Sequence, residues 1–181
     1  MRVVIVYESL FGNTREVAEA IAEGVQEADK AAEVECVRVD AADPGRIGSP
    51  DLLVVGGPTH MRGMTSGMSR KMGLQEDKKE AAKEAEEGRP HRAPEEGAEG
   101  PGVRGWLHKV PKTHGGTHAA AFDTRVESRM AGGAAKSIAH KLRDRGYQMA
   151  AEPEGFIVDD LNGPLRAGER ERAKAWGTAL T

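Results

Sequence analysis

Residues 9–14, which read Ser-Leu-Phe-Gly-Asn-Thr, constrain the fold of this chain more than any other segment. They follow a short β-branched run at 3–7, which is typical of a strand buried on both faces of a parallel sheet. They precede a stretch in which apolar residues have helical spacing. Those residues are Val17, Ala20, Ile21, Gly24 and Val25. The sequence therefore predicts a tight turn from a buried strand into an amphipathic helix.

Such a turn favours binding of a phosphate group. The free N–H groups of the first helical turn, the positive end of the helix dipole and the hydroxyls of Ser9 and Thr14 are expected to converge on one spot. The G-x-x-x-x-G-K-[ST] spacing is absent, and six residues are too few for G-x-G-x-x-G. A phosphate monoester therefore suits the turn better than a triphosphate or a dinucleotide. The alternative is an ordinary helix start, with Asn13 as the cap and Glu16 completing a capping box.

Three segments of the chain together resemble the flavodoxin family. The turn at 9–14 resembles the family's first loop, S/T-x-T/F-G-N-T, which holds the phosphate of FMN. An apolar run at 52–57 ends in Pro-Thr-His, similar to the loop beside the flavin ring. A third run, 119–122, leads into Asp-Thr-Arg, where the family covers the other side of the ring. The order and separation of the three segments extend the resemblance over nearly the whole chain.

The resemblance implies FMN as the cofactor and names the residues that contact it. The first segment supplies Ser9, Leu10, Phe11, Gly12, Asn13 and Thr14. The second segment supplies Pro58, Thr59, His60, Met61 and Gly63. The third segment supplies Asp123, Thr124 and Arg125. No catalytic residue is implied.

Alternating strand and helix patterns predict an α/β fold with a doubly wound parallel sheet. Strands are expected at 2–7, 34–39, 51–56, 118–122 and 147–158, the last split at Pro153, and helices at 14–29, 133–145 and 168–180. The resemblance implies a flavodoxin-like sheet of five strands in the order 2-1-3-4-5. By length the chain is expected to form a single domain, 1–181. All three segments then follow the carboxyl ends of strands, where open α/β sheets bind ligands.

Residues 75–101 interrupt the pattern with a polar, Pro- and Gly-rich insertion. Apart from Leu74 at its edge, it offers nothing larger than Ala to a core. Its first half is expected to be a solvated helix, and its second half has the composition of a mobile loop. Two interpretations stay open, a surface excursion or a lid over the flavin on which a partner docks.

Bulk properties exclude several functions. The net charge of −3 and pI of about 6.1 argue against nucleic-acid binding, and no apolar run approaches the roughly 20 residues that span a membrane. Met1 leads directly into a strand, so no signal peptide is expected, and the single Cys36 cannot form an internal disulfide. We therefore expect a cytoplasmic protein. His114 and His118 lie in a glycine-rich stretch without nearby Cys or carboxylate, so no metal site is expected.

The predicted function is electron transfer, from a flavoprotein reductase to a haem or iron–sulfur protein. The alternative is an FMN-dependent NAD(P)H:quinone or flavin oxidoreductase of the same fold. The two loops expected beside the ring differ from those of an electron-carrying flavodoxin in two ways: they have no aromatic residue to stack on the ring, and they have several nearby cations. Those cations are Arg62, Arg70, Lys71, Arg125 and Arg129. Because positive charge stabilises reduced, anionic flavin, we expect a less negative potential than in an acidic flavodoxin.

Overall fold

The computed structural model describes residues 1–60, 63–88, 91–113, 115–127, 132–160 and 162–181. The strands are β1 Arg2–Tyr7, β2 Glu33–Arg38, β3 Leu52–His60, β4 Gly63–Met64, β5 His118–Val126, β6 Gln148–Met149 and β7 Glu154–Val158. The helices are α1 Asn13–Ala28, α2 Gly67–Glu86, α3 Val103–Leu107, α4 Ala134–Arg143 and α5 Glu169–Ala179. Met61, Arg62, His114 and Arg129 lie outside the described residues.

The sheet confirms the predicted fold class. Strands β2, β1, β3 and β5 pair in parallel in that order, and β6 and β7 both pair in parallel with β5. β6 and β7 are the two halves of the predicted fifth strand, and Pro153 lies between them. The order 2-1-3-4-5 is thus observed, with one addition, the short β4 that pairs antiparallel with β3.

Two strands run further than the sequence predicts. β3 continues to His60 rather than ending at 56, and β5 continues to Val126 rather than ending at 122. The parallel register between them carries on through Gly57↔Asp123 and Pro58↔Thr124. Residues expected in loops are therefore strand residues, because each strand gives the other's backbone a hydrogen-bonding partner.

Alternate residues of the central strands face opposite sides of the sheet, and each side has its own core. Val4, Val6, Leu53 and Val55 pack with side chains that include Trp106, Ile138 and Leu142 from α3 and α4. Val3, Ile5 and Val54 pack on the other side with side chains that include Ile21 of α1 and Ala173 of α5, and with Phe122 and Phe156. Both faces of the sheet are thus buried, as its apolar strands require.

Helices α1 and α5 approach closely at two glycines. A Cβ on Gly24 would lie 2.0 Å from the carbonyl oxygen of Lys174, and one on Gly177 would lie 2.3 Å from the carbonyl oxygen of Ile21. Each contact is with backbone, which cannot rotate away. Glycine at both positions therefore sets the distance at which α5 packs on the helix that carries the first segment.

We predict that Gly24→Ala destabilises the chain by about 1–3 kcal/mol, because the added methyl group overpacks the α1–α5 contact. Alanine normally stabilises a helix by about 1 kcal/mol relative to glycine, so the sign is diagnostic. Gly105→Ala is the matched control, since this exposed glycine of α3 has open space around its Cβ position. Urea unfolding of the two variants measures both effects. Equal stability gains in both would contradict the close packing.

The insertion contains a helix, as predicted, but that helix begins earlier. α2 starts at Gly67, and Ser66 is its N-cap. The Ser66 side chain accepts a hydrogen bond from the Ser69 N–H, and the Ser69 side chain accepts one from the Ser66 N–H. Ala98 of the insertion and Leu74 at its edge are buried apolar side chains, and they pack with Leu10 and Phe11 of the first segment. The mobility expected for the second half of the insertion stays a prediction. None of the described helices has the length and apolar character needed to cross a membrane.

Candidate functional site

The first segment has the geometry of a helix start that lacks a side-chain cap. Gly12 is the N-cap, with a positive φ of 88° that favours glycine, and no side chain caps the helix there. Asn13 is already helical, so the alternative in which Asn13 caps the helix is wrong. The Gly12 N–H donates to Ser9 Oγ at 3.0 Å, which folds the buried Ser9 under the turn. The N–H groups of the first turn of α1 are therefore not taken up by a capping side chain and can bind an anion.

The three segments meet at one pocket at the carboxyl ends of β1, β3 and β5. Nine of the fourteen predicted residues line it: Leu10, Phe11, Asn13, Thr14, Pro58, Thr59, His60, Thr124 and Arg125. Thr14 and Thr124 join the first and third segments directly, since their hydroxyl oxygens lie 2.8 Å apart in a buried hydrogen bond. The structure thus brings together two residues that are 110 positions apart in sequence.

Ser9, Gly12, Gly63 and Asp123 are predicted residues that do not line this pocket. Ser9 and Gly12 lie in the turn, and Gly63 pairs with His60 in the β3–β4 hairpin. Met61 is outside the described residues. The remaining residue, Asp123, is fully buried behind the pocket.

The side chains of Asp123 and Thr59 cap the first N–H groups of helix α4. Thr59 Oγ1 accepts from the Ala134 N–H at 2.8 Å, and Asp123 Oδ2 accepts from the Ala135 N–H at 2.9 Å. Burial raises the pKa of Asp123, opposed by its bond to Ala135 and by the Arg125 guanidinium. Arg125 Nε lies 3.4 Å from Asp123 Oδ1. These side chains anchor α4 to the strand ends, a role that the sequence did not indicate.

Apart from Val126 of β5, the rest of the pocket wall comes from helix α2, the end of β7 and the segment after it, of which the sequence indicated only Arg70, as a nearby cation. Their lining residues are Ser69, Arg70, Gly73, Glu76, Asp77, Glu80, Val158 and Asn162. His60 packs so closely on α2 that a Cβ on Gly73 would lie 3.3 Å from its ring. The available signal was the sequence position of α2, which begins four residues after Gly63 of the second segment.

A buried ion pair fixes α2 beside the strand ends. Arg70 Nε donates to Glu8 Oε1 at 3.1 Å, and both side chains are less than a tenth exposed. Glu8 also accepts from the Thr65 hydroxyl and, at 2.9 Å, from the Val103 N–H. A Cβ on Gly102 would lie 1.9 Å from the Arg70 guanidinium. Glu8, directly before the first segment, thus ties β1 to α2 and α3.

Residues 91–101, here called the strap, cross the outer side of the first segment. The Glu95 N–H donates to the Leu10 carbonyl at 2.8 Å, and Arg15 Nε donates to Glu95 Oε1 at 2.6 Å. Burial acts to raise the pKa of Glu95, but hydrogen bonds from Ser9 and Arg15 outweigh it and hold the pKa below its usual range. These contacts hold the strap, the second half of the insertion, against the candidate phosphate site.

His91 begins the strap and joins it to α2. Its Nδ1 lies 2.8 Å from Glu84 Oε2 and its Nε2 lies 3.4 Å from Asp77 Oδ1. The hydrogen bond to Glu84, and then the Asp77 carboxylate, raise the pKa of His91 above 6.5. Protonated His91 therefore holds the strap to the helix more strongly than neutral His91.

We predict that His91→Gln removes a pH-dependent part of the stability. Because the folded-state pKa is raised, the contribution of His91 is fully present below pH of about 6.5 and is lost as the pH rises through the folded-state value. Urea unfolding of the wild type and the variant from pH 5.5 to 8.5 measures the difference. The difference in unfolding free energy between wild type and variant should be largest at pH 5.5 and should shrink as the pH rises. His140→Gln, on an exposed part of α4, is the control. A gap that widens with pH would contradict the assignment.

Among the described residues, no group of three or more His, Cys, Asp and Glu side chains is placed to hold a metal ion. Burial raises the pKa of Cys36 to about 12, so its thiol is not a nucleophile at neutral pH. The site instead combines helix N–H groups, hydroxyls and a mixed polar and apolar cleft. Helix N–H groups and hydroxyls are donors for a phosphate group.

Comparison with known proteins agrees with the fold. The sequence model of the flavodoxin family matches residues 5–92. A flavodoxin from the domain Archaea superposes with a TM-score of 0.63 at 18% identity, over 99% of this chain and 96% of that one. Flavodoxin 1 from Bacillus cereus gives 0.64 at 16% identity, over 99% and 97%. The flavodiiron protein from Giardia intestinalis gives 0.58 at 18%, over 99% of this chain and 35% of that protein. Curated protein sequences give no match.

Proposed function

We propose that this flavodoxin-like chain, whose residues 5–92 match the flavodoxin family, binds FMN and carries electrons from a flavoprotein reductase to a haem or iron–sulfur protein. The observation that carries the proposal is the convergence of the three segments on one pocket at the carboxyl edge of the sheet. Open α/β sheets bind their ligands at this edge, where the strand order reverses. FMN, when bound, supplies reversible one- and two-electron chemistry.

The residues present fit the phosphate end of FMN. Gly12 holds a positive φ, no side chain caps α1, and a Cβ at Gly12 would meet the Arg92 guanidinium at 3.0 Å. The N–H groups of the first turn and the Thr14 hydroxyl can therefore hold a phosphate without displacing a capping side chain. The bond from Thr14 to Thr124 keeps this end of the site in register with the third segment.

The other end of the pocket suits a flat, partly apolar ring. Phe11, Pro58 and Val126 supply apolar surface, and His60 lines the same cleft. Arg70 and Arg125 line it as well, but so do three carboxylates, Glu76, Asp77 and Glu80. Buried Glu8 and Asp123 also offset the charges of the two arginines. The charge of the lining therefore gives no support to the expected, less negative potential, which stays a prediction.

The chain's own residues favour a carrier over an enzyme that uses NAD(P)H directly. The pocket walls are occupied by α2 on one side and by the segment after β7 on the other. We expect no second nucleotide site that would orient a nicotinamide against the ring. Hydride transfer depends on such positioning, and an unoriented encounter forfeits most of its rate.

The test is anaerobic stopped-flow reduction of the FMN-loaded protein. We expect NADPH alone to reduce it very slowly, and a catalytic amount of a flavoprotein reductase to reduce it quickly. The reduced protein should then pass electrons to a haem acceptor such as cytochrome c. Fast, saturable NAD(P)H oxidation by the protein alone with a quinone as acceptor would contradict the carrier proposal. It would support the NAD(P)H:quinone or flavin oxidoreductase alternative instead.

A further inference from the structure

Two arginines lie at the positive end of α1, where cations are electrostatically disfavoured. Arg92 Nη2 lies 3.0 Å, and Arg15 Nη2 3.6 Å, from the position that a Cβ on Gly12 would take. Arg15 belongs to the helix itself, but Arg92 is brought there by the strap from 79 positions away from Asn13. Both are already paired with carboxylates, Arg15 with Glu95 and Arg92 with Glu16, and an anion bound at the helix start would add to this charge pairing.

Arg92 is oriented by two polar contacts. Its Nη1 donates to Asn13 Oδ1 at 2.8 Å, and its Nη2 donates to Glu16 Oε1 at 2.7 Å. Asn13 is the first residue of α1 and lines the pocket. The Arg92 guanidinium is therefore one hydrogen bond away from a residue of the pocket wall. Gly163 packs over the same group, because a Cβ there would lie 2.8 Å from Arg92 Nη1.

These contacts leave Arg92 able to bind a further anion. A guanidinium has five N–H donors, and the two bonds to described residues engage two of them. Its side chain is about one third exposed, so it is neither sealed in the core nor fully solvated. A charge-assisted bond to phosphate at such a site is stronger than a neutral one.

We propose that Arg92 is a specificity-determining residue of the FMN site, and that it selects flavins that carry a phosphate monoester. This inference rests on the proposed function. It assigns to the strap a binding role, in that it brings a side-chain cation to a phosphate site otherwise built from N–H groups and hydroxyls. Glu16 and Asn13 hold the guanidinium in place, and the phosphate takes its remaining donors.

The experiment compares FMN and riboflavin, which differ by the phosphate alone. Dissociation constants come from quenching of flavin fluorescence, with thermal melting of each apoprotein as a check on folding. We expect Arg92→Gln to weaken FMN binding about tenfold or more and to change riboflavin binding less than about threefold. Arg92→Lys keeps the charge but not the planar fork, so it should recover part of the loss.

Arg170→Gln is the matched control. Arg170, on α5, pairs like Arg92 with a carboxylate of α1, but that carboxylate, Glu23, lies more than two helical turns from Asn13. Its replacement should leave both affinities unchanged. The affinity of the wild type for FMN should also fall more steeply with added salt than that of Arg92→Gln, because a phosphate–guanidinium pair is lost in the variant.

The outcomes separate the two proposals. If the wild type prefers FMN and Arg92→Gln keeps the same preference, Arg92 plays no part and this inference fails alone. Equal weakening of FMN and riboflavin would show that Arg92 supports the shape of the pocket rather than the phosphate, and would also overturn it. If the wild type binds riboflavin as tightly as FMN, or binds neither, the phosphate site itself fails and the proposed function fails with it.

Discussion

The parallel pairing of β3 with β1 on one side and β5 on the other is the constraint on which the rest of this structure depends. It aligns Tyr7 with Gly56 and Pro58 with Thr124, so the three strands end at one edge of the sheet. The predicted residues that line the proposed site lie at those ends or directly after them. A one-residue slip in either pairing would turn buried side chains towards the wrong face and move the segments out of register.

The strand ends are then linked by side chains rather than by backbone alone. Thr14 bonds to Thr124 across the pocket, and Glu8 bonds to Arg70, Thr65 and the Val103 N–H beside it. Removing one partner of the buried Glu8–Arg70 pair leaves an uncompensated charge, which costs about 3–5 kcal/mol in comparable cases. The pair is therefore best understood as a device that positions α2 against the pocket.

Local patterns in the sequence were enough to predict most of the helices and strands. Helical spacing in α1 and the β-branched run of β1 place both elements within a residue of their observed bounds. The strand order came from resemblance, and the sheet confirms it. The extension of β3 and β5 could not be predicted, because Gly57, Pro58 and Asp123 are poor strand formers and only their mutual pairing makes them strand residues.

The site was predictable where its residues are adjacent in sequence and not where distant segments meet. Residues 9–14 form a motif that is visible in the sequence, whereas Asp77 and Asn162 line the pocket, and Arg92 bonds to Asn13, only through tertiary contacts. The insertion offered little beyond charge and alanine, so its composition described a solvated segment. Its docking depends on individual hydrogen bonds, such as that from Glu95 to Leu10, which have no periodic signal.

Hydrogen–deuterium exchange with and without FMN tests the central claim most directly, that three separate strand ends form one flavin site. The account predicts that FMN slows exchange in peptides covering 9–15, 56–60 and 122–126 together, at one common FMN concentration. Peptides from the opposite end of the sheet, such as 45–51, should not change. Protection that omits any of the three segments, or that appears only at the opposite end, would contradict the account.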